Sequence, residues 1–343
     1  MNDAAEGAPG APAETDRAEG GSEAALDVAL RFTVEHQSVR GQFVRLGPAW
    51  LELREHADHP ASVRRLLGEA SAAAVLLAST LKFEGELTLQ LQGDGAVRLL
   101  VAQCTHDLRV RAVVRFDAAS FGGERAGTGA ELDFPSLVGQ GQLAVTVEST
   151  QGGARYQGIV PLGGDSLAAA LEQYFDRSEQ LPTTVRLGAD DARAAGLLVQ
   201  RLPQSGGISV AGDDTADTGS ARSAREAEAT RTLDAARTAL AGLATDELLA
   251  RPIEDLLRRA CAGEDLRLHP ARAVGFRCRC SRERVAGMLR ALGADELDSI
   301  LAEQGAVTVT CEFCQRPWRF DAVDVSALTG EADRRPPGSP IVH

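Results

Sequence analysis

From Leu26 to about residue 203, apolar and polar residues alternate in short runs punctuated by glycine, the period-two signature of half-buried strands. The stretch LRFTVEHQSVRGQFVRLG holds two such runs. In GELTLQLQGDGAVRLLVAQC, Leu87, Leu89 and Leu91 share one face, Gly93-Asp94-Gly95 turns the chain, and Val97, Leu99 and Val101 carry the pattern back as a hairpin. LRVRAVVRF, GQLAVTVEST, TTVRLG and GLLVQRLP alternate likewise. Two stretches switch to a helical period. Val63, Leu66, Leu67, Ala70, Ala74, Leu77 and Leu81 form one apolar stripe, closed by Gly85. DSLAAALEQYFDRSEQ predicts a second helix that starts from an Asp165 cap and buries Leu167, Leu171, Tyr174 and Phe175. Strands with a few helices predict an α+β fold, with a mixed-sheet domain and packed helices over residues 25–204.

Outside that domain the texture changes. Residues 1–24 are Ala, Gly, Pro and Glu without periodicity and predict a disordered tail, because they bury too little to offset ordering entropy. After Pro203 the segment QSGGISVAGDDTADTGSARSAREAEATRT reads as a loop. It leads into charged, helix-forming sequence with only scattered leucine, so residues 205–273 predict a flexible and helical linker that needs a surface to dock on. A small cysteine-bearing module spans 274–326, and residues 327–343 predict a second disordered tail. A length of 343 residues suits two or three such units.

A formal charge of -13 argues against a chain built mainly to hold a phosphate backbone. No run approaches the roughly 18 apolar residues that span a bilayer, and the N-terminus lacks the basic and apolar regions of a signal peptide. Both point to a cytoplasmic protein with no membrane partner. Cytoplasmic thiols are kept reduced, so clustered cysteines there point to metal.

Four of the six cysteines, Cys278, Cys280, Cys311 and Cys314, form C-x-C-x30-C-x2-C. Four thiolates suit one tetrahedral Zn2+ and leave no position for a reactive water. Each close pair can also oxidise locally into a very small ring, expelling the metal on which so small a module depends. Cys104 and Cys261 lie apart and read as packed hydrophobes. His56 and His59, an i, i+3 pair before Pro60, read as a solvated turn. Two other readings use the same residues. Arg277, Arg279, Arg282, Arg284, Arg316 and Arg319 around a zinc ribbon can face a nucleic acid, although Glu283, Glu312 and Asp321 dilute them and make that partner the less favoured one. CEFC can serve a thiol oxidoreductase, although the thioredoxin-like context is missing. No phosphate-binding loop, H-E-x-x-H or G-x-S-x-G motif supports an enzyme.

VRG at 39–41, LKFEG at 81–85, LQLQGDG at 89–95, RYQGIVPL at 155–162, YFDRSEQLPT at 174–183, GLLVQRLP at 196–203, FRCRCSRERV at 276–285 and CEFC at 311–314 together resemble the 33 kDa chaperonin family. These are bacterial redox-regulated heat-shock holdases, and the resemblance runs from about Asp27 to Val325. It implies a reduced, zinc-loaded, inactive protein that peroxide or hypochlorous acid, with unfolding conditions, converts into an ATP-independent chaperone for unfolding client proteins. It further implies Cys278–Cys280 and Cys311–Cys314 disulfides, an unfolded linker and a homodimer when oxidised. Trp318 stands where the family usually has Tyr, and the N-terminal tail is additional.

Overall fold

The computed structural model describes residues 27–121, 131–150, 155–203 and 219–332. The tail expected over 1–24 and the start of the expected linker lie outside the described residues. Antiparallel β1 (Val28–Val34) and β2 (Val39–Leu46) lead into α1 (Pro48–Arg54) and α2 (Ala61–Thr80). A meander of β3 (Gly85–Gly93), β4 (Val97–Thr105) and β5 (Arg109–Phe116) follows, then α3 (Phe134–Val138), β6 (Gly141–Ser149), β7 (Tyr156–Pro161), α4 (Leu167–Tyr174), β8 (Thr183–Ala189) and β9 (Ala194–Arg201). Next come α5 (Gly219–Ala241), α6 (Thr245–Ala250), α7 (Ile253–Ala260), and short strands β10 (Leu266–Leu268), β11 (Arg272–Ala273) and β12 (Gly275–Phe276). The chain closes with α8 (Arg282–Leu292), α9 (Ala294–Gln304), β13 (Val307–Thr310), β14 (Pro317–Phe320) and α10 (Ala322–Ala332).

The strands form two six-stranded sheets and one hairpin among the described residues. The first sheet runs β10-β1-β2-β9-β8, with β11 also on β1; the second runs β12-β5-β4-β3-β6-β7. Helix α2 lies between them, its side chains in one core with apolar residues of both sheets. The expected stripe is therefore too narrow. Ser62, Gly68, Ser71, Ala72, Ala73 and Ala78 are buried as well, because small residues let two sheets close on one helix from both sides.

Three local expectations are corrected. A bulge between Val97 and Leu99 shifts the phase of β4, so Leu100, Ala102 and Cys104 enter the core while Leu99 and Val101 stay half-buried. Ser166, not Asp165, caps α4, accepting the Ala169 N–H at 3.2 Å. Residues 219–232, expected as loop, are the first turns of α5, where Ala, Arg and Glu are good helix formers and Ala229 begins the buried stripe that continues through Leu233, Ala236 and Leu240.

The segment expected to be a linker is docked. Its helices α5, α6 and α7 cover the outer face of the first sheet, packing Leu233, Leu240, Leu249 and Leu256 on Phe32, Phe43, Leu197 and Val199. Two arginines of that sheet and one from its β8–β9 turn, Arg193, fasten the cover. Arg45 donates to the Leu248 and Arg251 carbonyls at 3.1 and 2.6 Å, Arg186 to Leu243 at 3.0 Å, and Arg193 to Leu249 at 3.1 Å. Such bonds satisfy carbonyls at helix ends. The end of the segment is not linker at all in shape, since β10 and β11 pair with β1. Residues 327–332, expected in the C-terminal tail, are helical, because α10 continues to Ala332 and buries Leu328 in the module's core; the rest of that expected tail lies outside the described residues.

Gly41 shows how tightly the first sheet is packed. It sits across from Phe32, and a Cβ there would lie 2.0 Å from the ring's Cζ. Phe32 is fully buried and has nowhere to swing. Gly41→Ala is expected to cost about 1–3 kcal/mol by overpacking, read as a lower urea midpoint at unchanged slope; an unchanged midpoint would mean that the ring has room.

Glu69, on α2, is the carboxyl most displaced upward. Burial pushes it to about 7 against the pull of Arg65 and Arg186. The fold holds this proton more tightly than the unfolded chain does. Its contribution is therefore complete below the ordinary value of 4.5 and is lost as pH rises through about 7. The ceiling is ~3 kcal/mol, less in practice because part of the side chain reaches solvent. Glu69→Gln should flatten the stability profile between about pH 4 and 8; a wild-type profile already flat there would remove this role.

Candidate metal centre

Two local structures bring the cysteines together. Cys278 and Cys280 follow β12, the edge strand that pairs in parallel with β5, and they precede Ser281, the cap of α8, whose hydroxyl accepts the Arg284 N–H at 3.2 Å. The chain is thus pinned on both sides of the first pair. Cys311 and Cys314 form the tip of the β13–β14 hairpin. Cys311 N–H donates to Arg316 O at 3.0 Å, Gln315 N–H donates to Cys311 O at 2.9 Å, and Gln315 takes the left-handed conformation that closes the turn.

All four sulfurs lie within 4.8 Å of one another. The closest approaches cross between the pairs, Cys278 to Cys311 at 3.7 Å and Cys280 to Cys314 at 3.5 Å. Four thiolates about 2.3 Å from a tetrahedral Zn2+ stand about 3.8 Å apart, so the four-sulfur set fits such an ion. Cys314 is buried and the other three are half-buried. Burial pushes the Cys314 and Cys280 thiols up. Burial acts the same way on Cys311, but the backbone N–H groups of Cys314 and Phe313 and the Cys278 thiol outweigh it, and the net direction is down.

The other candidates lie elsewhere. Cys104 is buried in β4 and its thiol is pushed up by burial. Cys261, buried at the end of α7, is pushed up to about 12 by burial and by Glu264. His59 is not in a solvated turn: it is buried, its ring edge-on to Phe116 at 5.6 Å. His56 instead accepts from Arg316 Nε at 3.3 Å. Among the described residues, the four cysteines form the one cluster suited to a metal.

The contacts that seat the centre on the second sheet escape sequence reasoning. Phe313, between the CEFC cysteines, lies under the Arg111 guanidinium at 4.3 Å. Arg279 reaches Glu86 at 2.6 Å and Arg115 reaches Glu312 at 3.1 Å. Glu86, Arg111 and Arg115 read in sequence as solvent-facing alternates, so a hydrophobic pattern carries no sign of them. SEQLP also acquires a role in the fold. Glu179 accepts both the Tyr156 and the Tyr174 hydroxyls at 2.7 Å, and Gln180 turns in the left-handed conformation.

A family model described as Hsp33 protein matches residues 27–321. The 33 kDa chaperonin of Nitrosococcus oceani is 39% identical over 308 residues, 89% of this chain and 95% of the relative. That of Pseudomonas paraeruginosa is 40% identical over 314 residues, 91% and 98% of the two chains. The crystal structure of the 33 kDa chaperonin (heat shock protein 33 homolog) from Thermotoga maritima superposes with a TM-score of 0.67 over 90% of this chain and 100% of its own, at 22% identity. The match covers both sheets, the docked helices and all four clustered cysteines, and this chain belongs to the Hsp33 protein family.

Proposed function

We propose that this chain is a redox-switched, ATP-independent holdase whose cysteine centre decides whether its docked helices stay in place. Family membership makes it a chaperone that binds client proteins, and nothing in its relatives' names points to catalysis. The observation that carries the switch is the convergence of four sulfurs within 4.8 Å at the end of a module whose core cluster holds eight buried apolar side chains. Zinc, when bound, cross-links two segments thirty residues apart and holds the sulfurs as thiolates.

The residues perform the rest. A thiolate of one pair attacks peroxide, giving a sulfenic acid and releasing hydroxide. The second thiol of the pair then displaces the sulfenic oxygen as water, so two sulfurs lose two electrons and become one disulfide. The family resemblance pairs Cys278 with Cys280 and Cys311 with Cys314, so on oxidation each sulfur turns from its neighbour across the pairs, at 3.7 or 3.5 Å, to its near neighbour in sequence. Loss of four thiolates releases the metal, the module unfolds, and α5, α6 and α7 come away with it. The face they cover is apolar, as a surface for unfolding clients must be. A cytoplasmic location and a homodimer in the oxidised state complete the reading.

The experiment is a paired measurement on the full chain before and after mild peroxide at elevated temperature. One zinc ion released per four thiols lost, together with new suppression of client aggregation, is the expected result. Equal protection of the client by the reduced protein would remove the switch.

A further inference from the structure

We infer that the seam between the second sheet and the cysteine module holds a binding site for a phosphate-type oxyanion. A cavity of about 530 Å³ opens there, with Cys278 and Cys280 on one wall. Arg109 and Arg111 enter it from β5, and Arg277, Arg279 and Arg284 from the module. The carboxylates on its walls are Glu86 and Asp107.

The pairing is uneven. Arg279 takes Glu86 at 2.6 Å, leaving Arg111 at 3.9 Å from the same carboxylate and Arg109 at 3.8 Å from Asp107. Arg277 and Arg284 have no carboxylate within ion-pair distance among the described residues, and Arg111 Nε is buried without a partner. The clustered guanidiniums invite an obvious alternative, that they only balance the metal centre. On the zinc reading above, the tetrathiolate carries two negative charges. With the two carboxylates, that still leaves one of five positive charges over. The N-terminal end of α8, an eleven-residue helix, adds its dipole at the same wall. Guanidinium forks match phosphate oxygens in pairs. The volume has room for one or two phosphate groups beside these arginines.

An anion here bridges two parts of the fold, because two of its arginines belong to the sheet and three to the module. It binds the docked arrangement alone, so it stabilises that arrangement by mass action. Phosphate would thus hold the module closed.

The test titrates pyrophosphate into the full, reduced chain in a calorimeter, with zinc content measured on the same sample and no oxidant added. Orthophosphate and a nucleoside diphosphate run in parallel identify which phosphate carrier fits best. One saturable site is expected, with affinity reduced about tenfold or more in Arg277→Ala/Arg284→Ala. Pyrophosphate should also raise the melting temperature of the wild type and not of that variant. Arg155→Ala/Arg258→Ala, exposed elsewhere, should bind as the wild type does. Absence of a saturable site, or an equal loss in the control variant, overturns the proposal. So does tighter binding of an RNA oligonucleotide that is lost in the same double variant. Because no oxidation is involved, a protein that fails to switch can still pass this test, and one that switches can fail it.

Discussion

Cys314→Ser is expected to abolish zinc retention and to melt the C-terminal module while leaving strands β1 to β9 of the two large sheets intact. Cys314 is the buried member of the four, 4% exposed at the tip of the β13–β14 hairpin, and a serine hydroxyl is neither soft nor ionised enough to replace its thiolate. Structural zinc contributes about 10–16 kcal/mol of apparent binding free energy in small peptides. The module's own core, built around Val285, Leu289, Leu297 and Phe320, is too small to make up a loss on that scale. Limited proteolysis should cut within 274–332 in the variant under conditions that leave the wild type whole, and a colorimetric chelator should find no stoichiometric zinc. A variant that keeps one zinc ion and resists the protease would show that the sulfur cluster does not hold the module together.

Leu256→Asp separates the cover from the switch. Leu256 is 1% exposed on α7 and packs against the first sheet. A carboxylate there loses the transfer free energy of the side chain and is desolvated without a partner, a cost of about 3–5 kcal/mol or more. That is a large part of what can hold three helices to a sheet face. The reduced, zinc-loaded variant is expected to bind a hydrophobic dye and to suppress client aggregation without peroxide, since undocking uncovers Phe32, Phe43, Leu197 and Val199. Zinc content should be unchanged, because the cysteine centre sits on the other sheet. A variant that undocks, as judged by proteolysis of α5 to α7, yet protects no client would show that this face is not the client surface.

How much was legible varies with the range of the interaction. The alternation that marks β3 is local and held, with Leu87, Leu89 and Leu91 in the core. On β4 the same reasoning failed after one residue, because a bulge is set by the partner strand and not by the strand's own pattern. Helix α2 was found, but its burial on nearly every side follows from having a sheet on either side of it. The charged helices after residue 219 were readable as needing a docking surface; which surface was not. At the candidate metal centre, the two cysteine pairs stand out in sequence because each spacing is short. The seating contacts, Phe313 under Arg111 and Arg279 on Glu86, join residues about two hundred positions apart.

By itself the sequence determined the chemistry on offer: strand and helix periods, four soft ligands in two tight pairs, and a charged segment with too little apolar surface to stand alone. Periodicity, ligand softness and helix propensity are properties of a few neighbouring residues, so they survive without coordinates. Only the tertiary structure decided that one sheet face lies beneath the docked helices, that the four sulfurs meet, and that arginines of two separate segments share a cavity beside them. Those are distances between remote parts of the chain, fixed by packing of the whole fold and left open by any local pattern.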